Sequence, residues 1–415
     1  MSTYEKRLKR LNDAVALKEP DQVPFNAICQ CYPILEAGHT MAEALYDFSV
    51  ITDGYLKFGK KYQPDGLFGH AYLHGGMGPI FEILQPNTVR WAGMPGNIID
   101  KNSIHQFIEF PLIKEEDFDL FDNDRTGWLF SKGLPMIAKL LEPVAKWNLS
   151  TLGPMYAATT QLAAIFSSPE TKKLFEAFDK ITTINNKVRR QSAELDEKIE
   201  KELGIPALPK GFAAVPFDAY SDFYRGTLDA MADMLERDDV IARFSANALK
   251  NTLRSIEMQG KIMPGKWVFM ALHKGIDGFM SDAQYRRFYW KDLQTIIEHI
   301  IANGMTPYIY TEGSYTSRLD CLKEVTKGKV VYHFEQCDMA QAKKTLGNTA
   351  CIAGAFPIYL LEFGTKQQVI DEAKRLIDIC APGGGFIFET SSGYDAVKTE
   401  NVEALFETVR TYGKK

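Results

Sequence analysis

Apolar, β-prone runs alternate with amphipathic segments of helical period along almost the whole chain. The runs that favour buried strands are QVPFNAICQC, GLFGHAYLHGG, NLSTLGPMYAA, GFAAVPFDAYSDFYRG, KWVFMALHKG, YIYT, VVYHF, TACIAGAFP and GGGFIFET. They give eight or nine candidate parallel strands, with helices between them and no linker or low-complexity segment. This order predicts an α/β fold, a single (β/α)8 TIM-type barrel formed by residues 1–415, rather than a doubly wound sheet.

Two segments fall outside that alternation. The first, MSTYEKRLKRLNDAV, is charged and amphipathic, and it predicts an N-terminal helical segment rather than a signal peptide. The second lies between Pro79 and Trp91, where EILQPNTVRW predicts a β-hairpin insertion around Pro86-Asn87. In the longer helical run YRRFYWKDLQTIIEHIIANG, the apolar positions define a buried face that leaves Glu298 pointing outward.

The stretch from Met305 to Asp338 contains the side chains that are best placed to bind a metal or to catalyse a reaction. Its run YIYT stops at Glu312-Gly313, a short amphipathic segment follows, and VVYHF ends on His333. Strand, helix and strand in this order are typical of a parallel sheet, whose carboxyl strand ends carry ligands and catalysis. Glu312 and His333 could therefore share a zinc ion with an open coordination position. In the alternative interpretation Glu312 caps the next helix and His333 packs in the barrel wall.

Composition narrows the functional classes. The apolar fraction is 45%, the charged fraction is 24% and the formal net charge is -5, which are values of a globular protein and disfavour a nucleic-acid surface. No apolar run is long enough to span a bilayer, so we expect a cytoplasmic protein with no membrane contact. Six scattered cysteines predict reduced thiols rather than a disulfide framework. No Walker lysine, GxSxG elbow or dinucleotide-binding glycine pattern is present.

Several motifs together resemble the uroporphyrinogen decarboxylase superfamily over nearly the whole chain: ALKEPDQVPF, YQPDGLFGH, PFDAYSDFYRG, MSDAQYRRFYW, GMTPYIYTEGSYTSRL and GGGFIFETSSGYDAVKTENVEAL. The resemblance implies either a porphyrinogen decarboxylase or a zinc-dependent methyltransferase that works with a corrinoid. The decarboxylases bind propionates through an arginine-rich early segment, whereas NAICQCYPILEAGHT contains no arginine. Thiol-methylating members carry an HxC zinc pair at the positions occupied here by Tyr310 and Glu312.

The chain looks closest to methyltransferase I of veratrol-type O-demethylase systems. That resemblance implies a zinc motif of Glu, Glu and His, in which Glu312 and His333 match the spacing of 20 intervening residues. The first Glu of the motif would fall near Glu298, whose helix end points away from the active face of a barrel. We therefore expect Glu389, which ends the last strand, as the third zinc ligand.

The implied function is transfer of the methyl group of an aryl methyl ether to the cob(I)alamin of a separate corrinoid protein, while zinc activates the ether oxygen. The chain lacks the DxHxxG segment of cobalamin domains, so a transiently docking partner must supply the corrinoid. Glu312 and His333 are the expected catalytic residues, and we expect a substrate pocket lined by Tyr32, Tyr72, His273 and Tyr310.

Other functions stay open at this point. A metal-free binding or regulatory barrel would retain the fold without the chemistry. A uroporphyrinogen decarboxylase-like activity, or a corrinoid methyltransferase acting on a methylamine, a thiol or a folate, would share the barrel and differ in substrate.

Overall fold

The computed structural model describes residues 1–96, 98–147, 149 and 152–414. Its strands are β1 (Asn26–Ala27), β2 (Gly66–Phe68), β3 (Val89–Arg90), β4 (Gln106–Phe107), β5 (Ala207–Leu208), β6 (Gly211–Phe212), β7 (Trp267–Leu272), β8 (Thr306–Ser314), β9 (Val331–Gln336), β10 (Cys351–Phe356) and β11 (Phe386–Thr390). Its helices are α1 (Thr3–Val15), α2 (Tyr32–Glu36), α3 (Met41–Tyr46), α4 (Phe48–Tyr62), α5 (Gly78–Leu84), α6 (Phe118–Asn123), α7 (Arg125–Trp128), α8 (Leu134–Ile137), α9 (Met155–Ser167), α10 (Pro169–Lys201), α11 (Pro216–Ala219), α12 (Thr227–Glu236), α13 (Asp238–Ile262), α14 (Asp282–Gln284), α15 (Lys291–Ala302), α16 (Leu319–Leu322), α17 (Met339–Leu346), α18 (Tyr359–Glu362), α19 (Lys366–Cys380) and α20 (Thr399–Tyr412).

The parallel strands close into a barrel. One sheet has the order β1-β2-β5 and a second has the order β6 to β11, all parallel. Strands β5 and β6 together form one strand of the barrel. This strand is interrupted at Pro209, which has no backbone N–H to donate to a neighbour. A parallel bridge between Phe25 and Phe388 joins the remaining edges. The result is a (β/α)8 TIM-type barrel, as predicted, while the assignment of residues 1–415 to one domain stays a prediction.

Alternate residues of each strand point into the barrel, as the period of two requires. The interior is filled by aromatic and aliphatic side chains, among which Trp267, Phe269, Tyr308 and Tyr310 are the largest. Helix α1 packs its apolar face against the same cluster through Leu11, Ala14 and Val15. The predicted N-terminal helical segment thus closes one end of the barrel. The other end, at the carboxyl ends of the strands, is available to ligands.

Several predicted boundaries are wrong. Helix α5 occupies part of the segment assigned to a hairpin, and the antiparallel pair is β3 with β4, across a longer connection. His333 does not end its strand, because β9 continues to Gln336. The strand expected in the run GFAAVPFDAYSDFYRG ends at Phe212, and Asp218 and Asp222, which follow in that run, lie in helical turns.

In the run NLSTLGPMYAA, residues 148, 150 and 151 lie outside the described part of the chain, and α9 begins at Met155. Glu298 lies on α15, which precedes β8, and its carboxylate accepts hydrogen bonds from the N–H and hydroxyl of Thr326. Glu298 therefore lies at the end of the barrel opposite the carboxyl ends of the strands. None of the helices in the described residues has the length and apolar character needed to cross a membrane.

Candidate functional site

A cluster of charged side chains surrounds the carboxyl ends of β7, β8 and β9. His273 directly follows β7, Glu312 lies near the end of β8, and Glu335 lies near the end of β9. Gly313 has a φ of 76°, a left-handed conformation that turns the chain directly after Glu312 and that glycine adopts without strain. We call this group the mouth cluster; it also includes Asp218, Asp222 and Lys274.

His273 is held between two carboxylates. Its Nδ1 forms a short hydrogen bond with Oδ2 of Asp222, and its Nε2 lies 3.6 Å from Oε1 of Glu312. The His273 side chain is 34% exposed and that of Glu312 is 47% exposed, whereas Asp222 is nearly buried. Asp222 thus fixes the ring orientation, and Nε2 faces the solvent side of the mouth next to Glu312.

Asp222 owes its position to a local departure from α-helical geometry. It lies in the π-helical segment Tyr220–Arg225, a wide turn of a kind that often occurs at functional sites. Asp233 anchors that segment, since it accepts hydrogen bonds from Tyr220 Oη at 2.6 Å and from Arg225 Nε at 2.7 Å. The segment is therefore rigidly attached to α12.

A second aspartate stabilises the loop that carries His273. Asp218 accepts the backbone N–H of His273 at 3.1 Å and that of Lys274 at 2.9 Å, and it also accepts the hydroxyl of Tyr289 at 2.5 Å. The Nζ of Lys274 lies 3.1 Å from Oδ1 of Asp222. Both aspartates therefore have partners in the folded chain, whereas Glu312 and the outer side of His273 are partly exposed and can meet a ligand.

The electrostatics of the mouth favour a protonated His273. Burial lowers its pKa, but the hydrogen bond with Asp222 and the charges of Asp218 and Glu312 outweigh burial and raise the pKa to about 9. Burial raises the pKa of Asp218 to about 6 although His273 opposes that shift. Burial also raises the pKa of Glu312, and Glu335 adds to the effect. At neutral pH the His273 ring is an imidazolium with an N–H beside the open mouth.

A separate polar group lies deeper in the barrel. Nδ1 of His333 is 2.5 Å from Oε2 of Glu389, and its Nε2 is 3.1 Å from the carbonyl oxygen of Ser391. Glu389 also accepts from Asn26 Nδ2 at 2.5 Å and from Tyr308 Oη at 2.9 Å. His333 and Glu389 are 0% exposed, so this group is part of the barrel interior.

The three expected zinc ligands are not brought to one point. The structure joins His333 with Glu389 but places Glu312 beside His273. In the pairing of β8 with β9, His333 is opposite Tyr310, so Glu312 is two residues, roughly 6 to 7 Å, further along its strand. In the described residues no group of three His, Cys, Asp or Glu side chains is placed to hold a metal ion.

The donor chemistry of His333 also does not fit zinc in this arrangement. A carbonyl oxygen only accepts, so Nε2 must donate to Ser391, and Nδ1 is hydrogen-bonded to Glu389. Neither ring nitrogen has a lone pair left for a metal, which zinc requires of an imidazole ligand. Zinc at Glu312, His333 and Glu389 stays a prediction, and the chemistry below does not pass through it.

The four expected pocket residues are dispersed. His273 belongs to the mouth cluster, and Tyr310 stacks on His333 at 4.2 Å between ring centroids and donates to Ser392. Tyr32 is buried in α2, where its hydroxyl contacts Glu36, Tyr62 and Thr399. Tyr72 packs edge-on against Phe68. Tyr32 and Tyr72 therefore have neighbours other than the mouth cluster.

Sequence reasoning did not identify Asp218, Asp222, Lys274 and Glu335 as members of the site. Lys274 and Glu335 had a sequence signal, since Lys274 follows His273 directly and Glu335 is two residues after His333, on the same strand face. Asp222 lies in the motif PFDAYSDFYRG, but its pairing with His273 could not be predicted, because 51 positions separate the two residues and no motif indicates the π-helical turn.

Comparison with known proteins gives two findings. A family model described as uroporphyrinogen decarboxylase (URO-D) matches residues 165–412, which include every residue of the mouth cluster. The fold is similar to that of a methyltransferase from Methanosarcina mazei, with a TM-score of 0.61 and 13% sequence identity over 98% of each chain. No curated protein sequence matches. At this identity the structural likeness concerns the fold.

Proposed function

The chain belongs to the uroporphyrinogen decarboxylase family, and from this premise we propose that it is a methyltransferase that moves the methyl group of an aryl methyl ether to the cob(I)alamin of a separate corrinoid protein. The likeness to a solved methyltransferase over the full chain supports a barrel of this type. The mouth cluster, at the end of the barrel where such enzymes act, is the proposed reaction site.

The charge of the mouth argues against decarboxylation of a porphyrinogen. Such a substrate carries several carboxylates, which need arginines or lysines as partners. The mouth cluster instead has four carboxylates, those of Asp218, Asp222, Glu312 and Glu335, against the cations His273 and Lys274. Lys274 already pairs with Asp222, so a polyanion would find repulsion here.

The observation that carries the proposal is the protonated His273, with its Nε2 next to Glu312 at an open mouth. Phenoxide is a poor leaving group, and a proton donor at the ether oxygen removes that obstacle. When the methyl carbon–oxygen bond breaks, its electron pair stays on oxygen, which takes the proton from Nε2 of His273. The product is then a neutral phenol, and His273 becomes a neutral imidazole.

Asp222 and Glu312 have distinct roles in this step. The hydrogen bond that Nδ1 donates to Asp222 holds the His273 ring so that Nε2, rather than Nδ1, faces the substrate. The charge of Glu312 helps keep His273 protonated before the reaction. After the reaction His273 takes a proton from solvent, to which it is 34% exposed.

The methyl acceptor comes from outside the chain. A reduced corrinoid supplies the electron pair for the new bond to the methyl carbon. The sequence carries no cobalamin-binding segment, so the proposed partner docks over the mouth and approaches the methyl carbon to within roughly 3 to 3.5 Å, on the side opposite the ether oxygen. Such docking is transient, and charges at the rim affect its rate more than its chemistry.

A methylated amine is the second candidate substrate. The excess of carboxylates in the mouth cluster would attract a cationic ammonium group. A neutral ether would gain no such attraction. His273 would then have no function as a proton donor at oxygen, because an amine leaving group is already neutral when the methyl group leaves.

Methyl transfer to a reduced corrinoid protein, followed by the change in corrinoid absorbance, tests the proposal. The panel contains methoxybenzenes, trimethylamine and a methyl thioether. We expect turnover with at least one methoxybenzene and release of the corresponding phenol. Turnover with trimethylamine alone would select the second candidate, and no turnover with any methyl donor, together with decarboxylation of a porphyrinogen, would reject the proposal.

A further inference from the structure

Helix α9 has apolar side chains on every side, yet none of its residues is buried. Residues 147–169, which contain this helix, include no Asp, Glu, Lys, Arg or His, although 24% of the residues of the whole chain are charged. Met155 and Tyr156 are 88% and 82% exposed, and Phe166 is 40% exposed. A helix that is apolar all round is normally buried. Helix α9 therefore needs a cover that the described part of one chain does not supply.

The first turns of helix α10 extend this apolar area. Phe175 and Phe178 are three residues apart, hence on one side of α10, and are 41% and 36% exposed. The ring centroids of Phe166 and Phe175 are 6.1 Å apart, so the exposed rings continue from α9 onto α10. We call helix α9 together with Phe175 and Phe178 the α9 surface.

The α9 surface belongs to a part of the chain that projects from the barrel. At the closed end, Arg7 of α1 donates to the carbonyl oxygens of Leu203 and Gly204, which directly follow α10. Oδ1 of Asp196 lies 3.3 Å from Nε2 of His70, a residue that follows β2 at the mouth end. The rest of α10 up to its first residue is roughly 40 Å of helix and extends beyond the strand ends. The α9 surface, at the far end of α10, is thus accessible to another large molecule.

The absence of charge indicates which molecule covers this surface. A helix of 13 residues is too short to cross a bilayer, and α9 lacks the Lys and Arg residues by which surface helices bind lipid head groups. Transient partners meet faces that are no more apolar than the rest of a protein surface, whereas permanent homodimers have more apolar interfaces. In a twofold dimer the same face lies on both sides, so charges of one sign would meet and repel. An uncharged face can meet its own copy without this repulsion.

We propose that two copies of this chain form a twofold dimer through the α9 surface. A stable interface covers about 800 Å² on each partner. A fully buried aromatic side chain removes about 150 to 250 Å² from water, so Tyr156, Phe166, Phe175 and Phe178 at their exposures leave roughly 400 Å² to be covered. Met155 and the exposed alanines and threonines of α9 add to this area, which brings it to the size that a stable dimer requires. The dimer does not depend on the reaction that the barrel catalyses.

Light scattering on chromatographed protein, measured over a range of protein concentrations, tests the dimer. The wild type should have the mass of two chains. Tyr156 and Ala163 are exposed and seven residues apart, hence on one side of α9. The double variant Tyr156→Asp, Ala163→Asp should weaken self-association at least about a hundredfold, because a charge buried without a partner is strongly destabilising. Tyr156→Lys, Ala163→Lys should have the same effect, whereas an equimolar mixture of the two variant proteins should regain the mass of two chains, because opposite charges then meet.

Leu228 and Leu235 of α12 provide the matched control. They are also exposed apolar residues seven positions apart, with exposures of 81% and 79%. The double variant Leu228→Asp, Leu235→Asp should remain a dimer. The far-ultraviolet circular dichroism of all these variants should match that of the wild type, because the substituted side chains are exposed.

A mass of one chain for the wild type at every concentration would overturn the inference. A dimer that persists in both α9 variants would do so too, as would a mixture of these variants that stays monomeric. If the wild type is monomeric and the α9 variants slow methyl transfer to the corrinoid protein, that partner covers the surface instead. Sedimentation of the wild type, but not of Tyr156→Asp, Ala163→Asp, with phosphatidylcholine vesicles would assign the surface to lipid and reject the dimer.

Discussion

At the scale of single residues, the reactive group of this barrel is a histidine whose properties come from distant parts of the chain. The strand-end position of His273 can be predicted from KWVFMALHKG. Its pKa of about 9 cannot, because it depends on Asp222, Asp218 and Glu312, which converge only in the folded barrel. Sequence spacing instead pairs Glu312 with His333, and the structure assigns these two residues to different groups.

The pH dependence of methyl transfer reports on His273. A proton donor must be protonated, so kcat/KM should be constant at neutral pH and should fall as pH rises through about 9. Glu312→Gln removes one of the charges that raise this pKa, so the alkaline limb should move to lower pH. Glu298→Gln, at the opposite end of the barrel, is the control and should leave the profile unchanged. An alkaline limb that does not move in Glu312→Gln would contradict the electrostatic coupling.

The buried pair of His333 and Glu389 predicts a large effect on stability. His333→Ala leaves the Glu389 carboxylate 0% exposed without its imidazole partner, and breaking such a buried pair costs about 3 to 5 kcal/mol. His39→Ala removes the partner of Asp53, whose side chain is 40% exposed, and should cost less than about 1 kcal/mol. Urea unfolding measures both. Similar small losses in the two variants would show that the pair is not a structural feature of the interior.

At the scale of secondary-structure elements, the long strands could be predicted with nearly correct bounds, whereas β1, β2 and β6 could be predicted only as parts of longer strand-prone runs. β7 to β11 have five to nine residues of clear β-prone pattern, and each was expected. β1, β5 and β6 have only two residues each, so their patterns extend into turns and helices. β9 was predicted too short because Glu335 and Gln336 are polar, although Glu335 continues the alternation toward the mouth.

Helix α1 gives a prediction at the element scale. Leu11 is 0% exposed and belongs to the cluster of barrel-interior residues, so Leu11→Ala should destabilise the protein by about 2 to 5 kcal/mol, the usual cost of a cavity at a buried leucine. Leu235→Ala, on a side chain 79% exposed on α12, should change stability by less than about 0.5 kcal/mol. Thermal unfolding of both variants checks this, and equal midpoints would mean that α1 does not support the barrel.

At the scale of the whole molecule, the barrel combines an acidic mouth with a buried polar group in which both ring nitrogens of His333 have partners. The family could be predicted from the sequence because its motifs are distributed along the chain, and the family match over residues 165–412 confirms it. The metal expectation depended on spacing within one motif. Spacing does not reveal that Ser391 and Glu389 occupy both nitrogens of His333.

Removal of metal distinguishes proton donation by His273 from activation of the ether oxygen by zinc. Proton donation by His273 requires no metal, so prolonged treatment with a zinc chelator, verified by elemental analysis, should leave the methyl-transfer rate within about twofold of the untreated protein, well below the roughly 10² to 10⁴-fold effect of an acid catalyst. A rate that falls to background on chelation and returns with stoichiometric zinc would restore the zinc mechanism.

The central claim is that His273 delivers the proton that releases the phenol, and single-turnover methyl transfer to a reduced corrinoid protein tests it most directly. His273→Gln should slow the step by about 10² to 10⁴-fold and leave the far-ultraviolet circular dichroism unchanged, because it removes the acid and keeps the fold intact. His39→Gln, at a half-exposed histidine that also pairs with a carboxylate, should react as the wild type does. Transfer by His273→Gln at the wild-type rate would contradict the account.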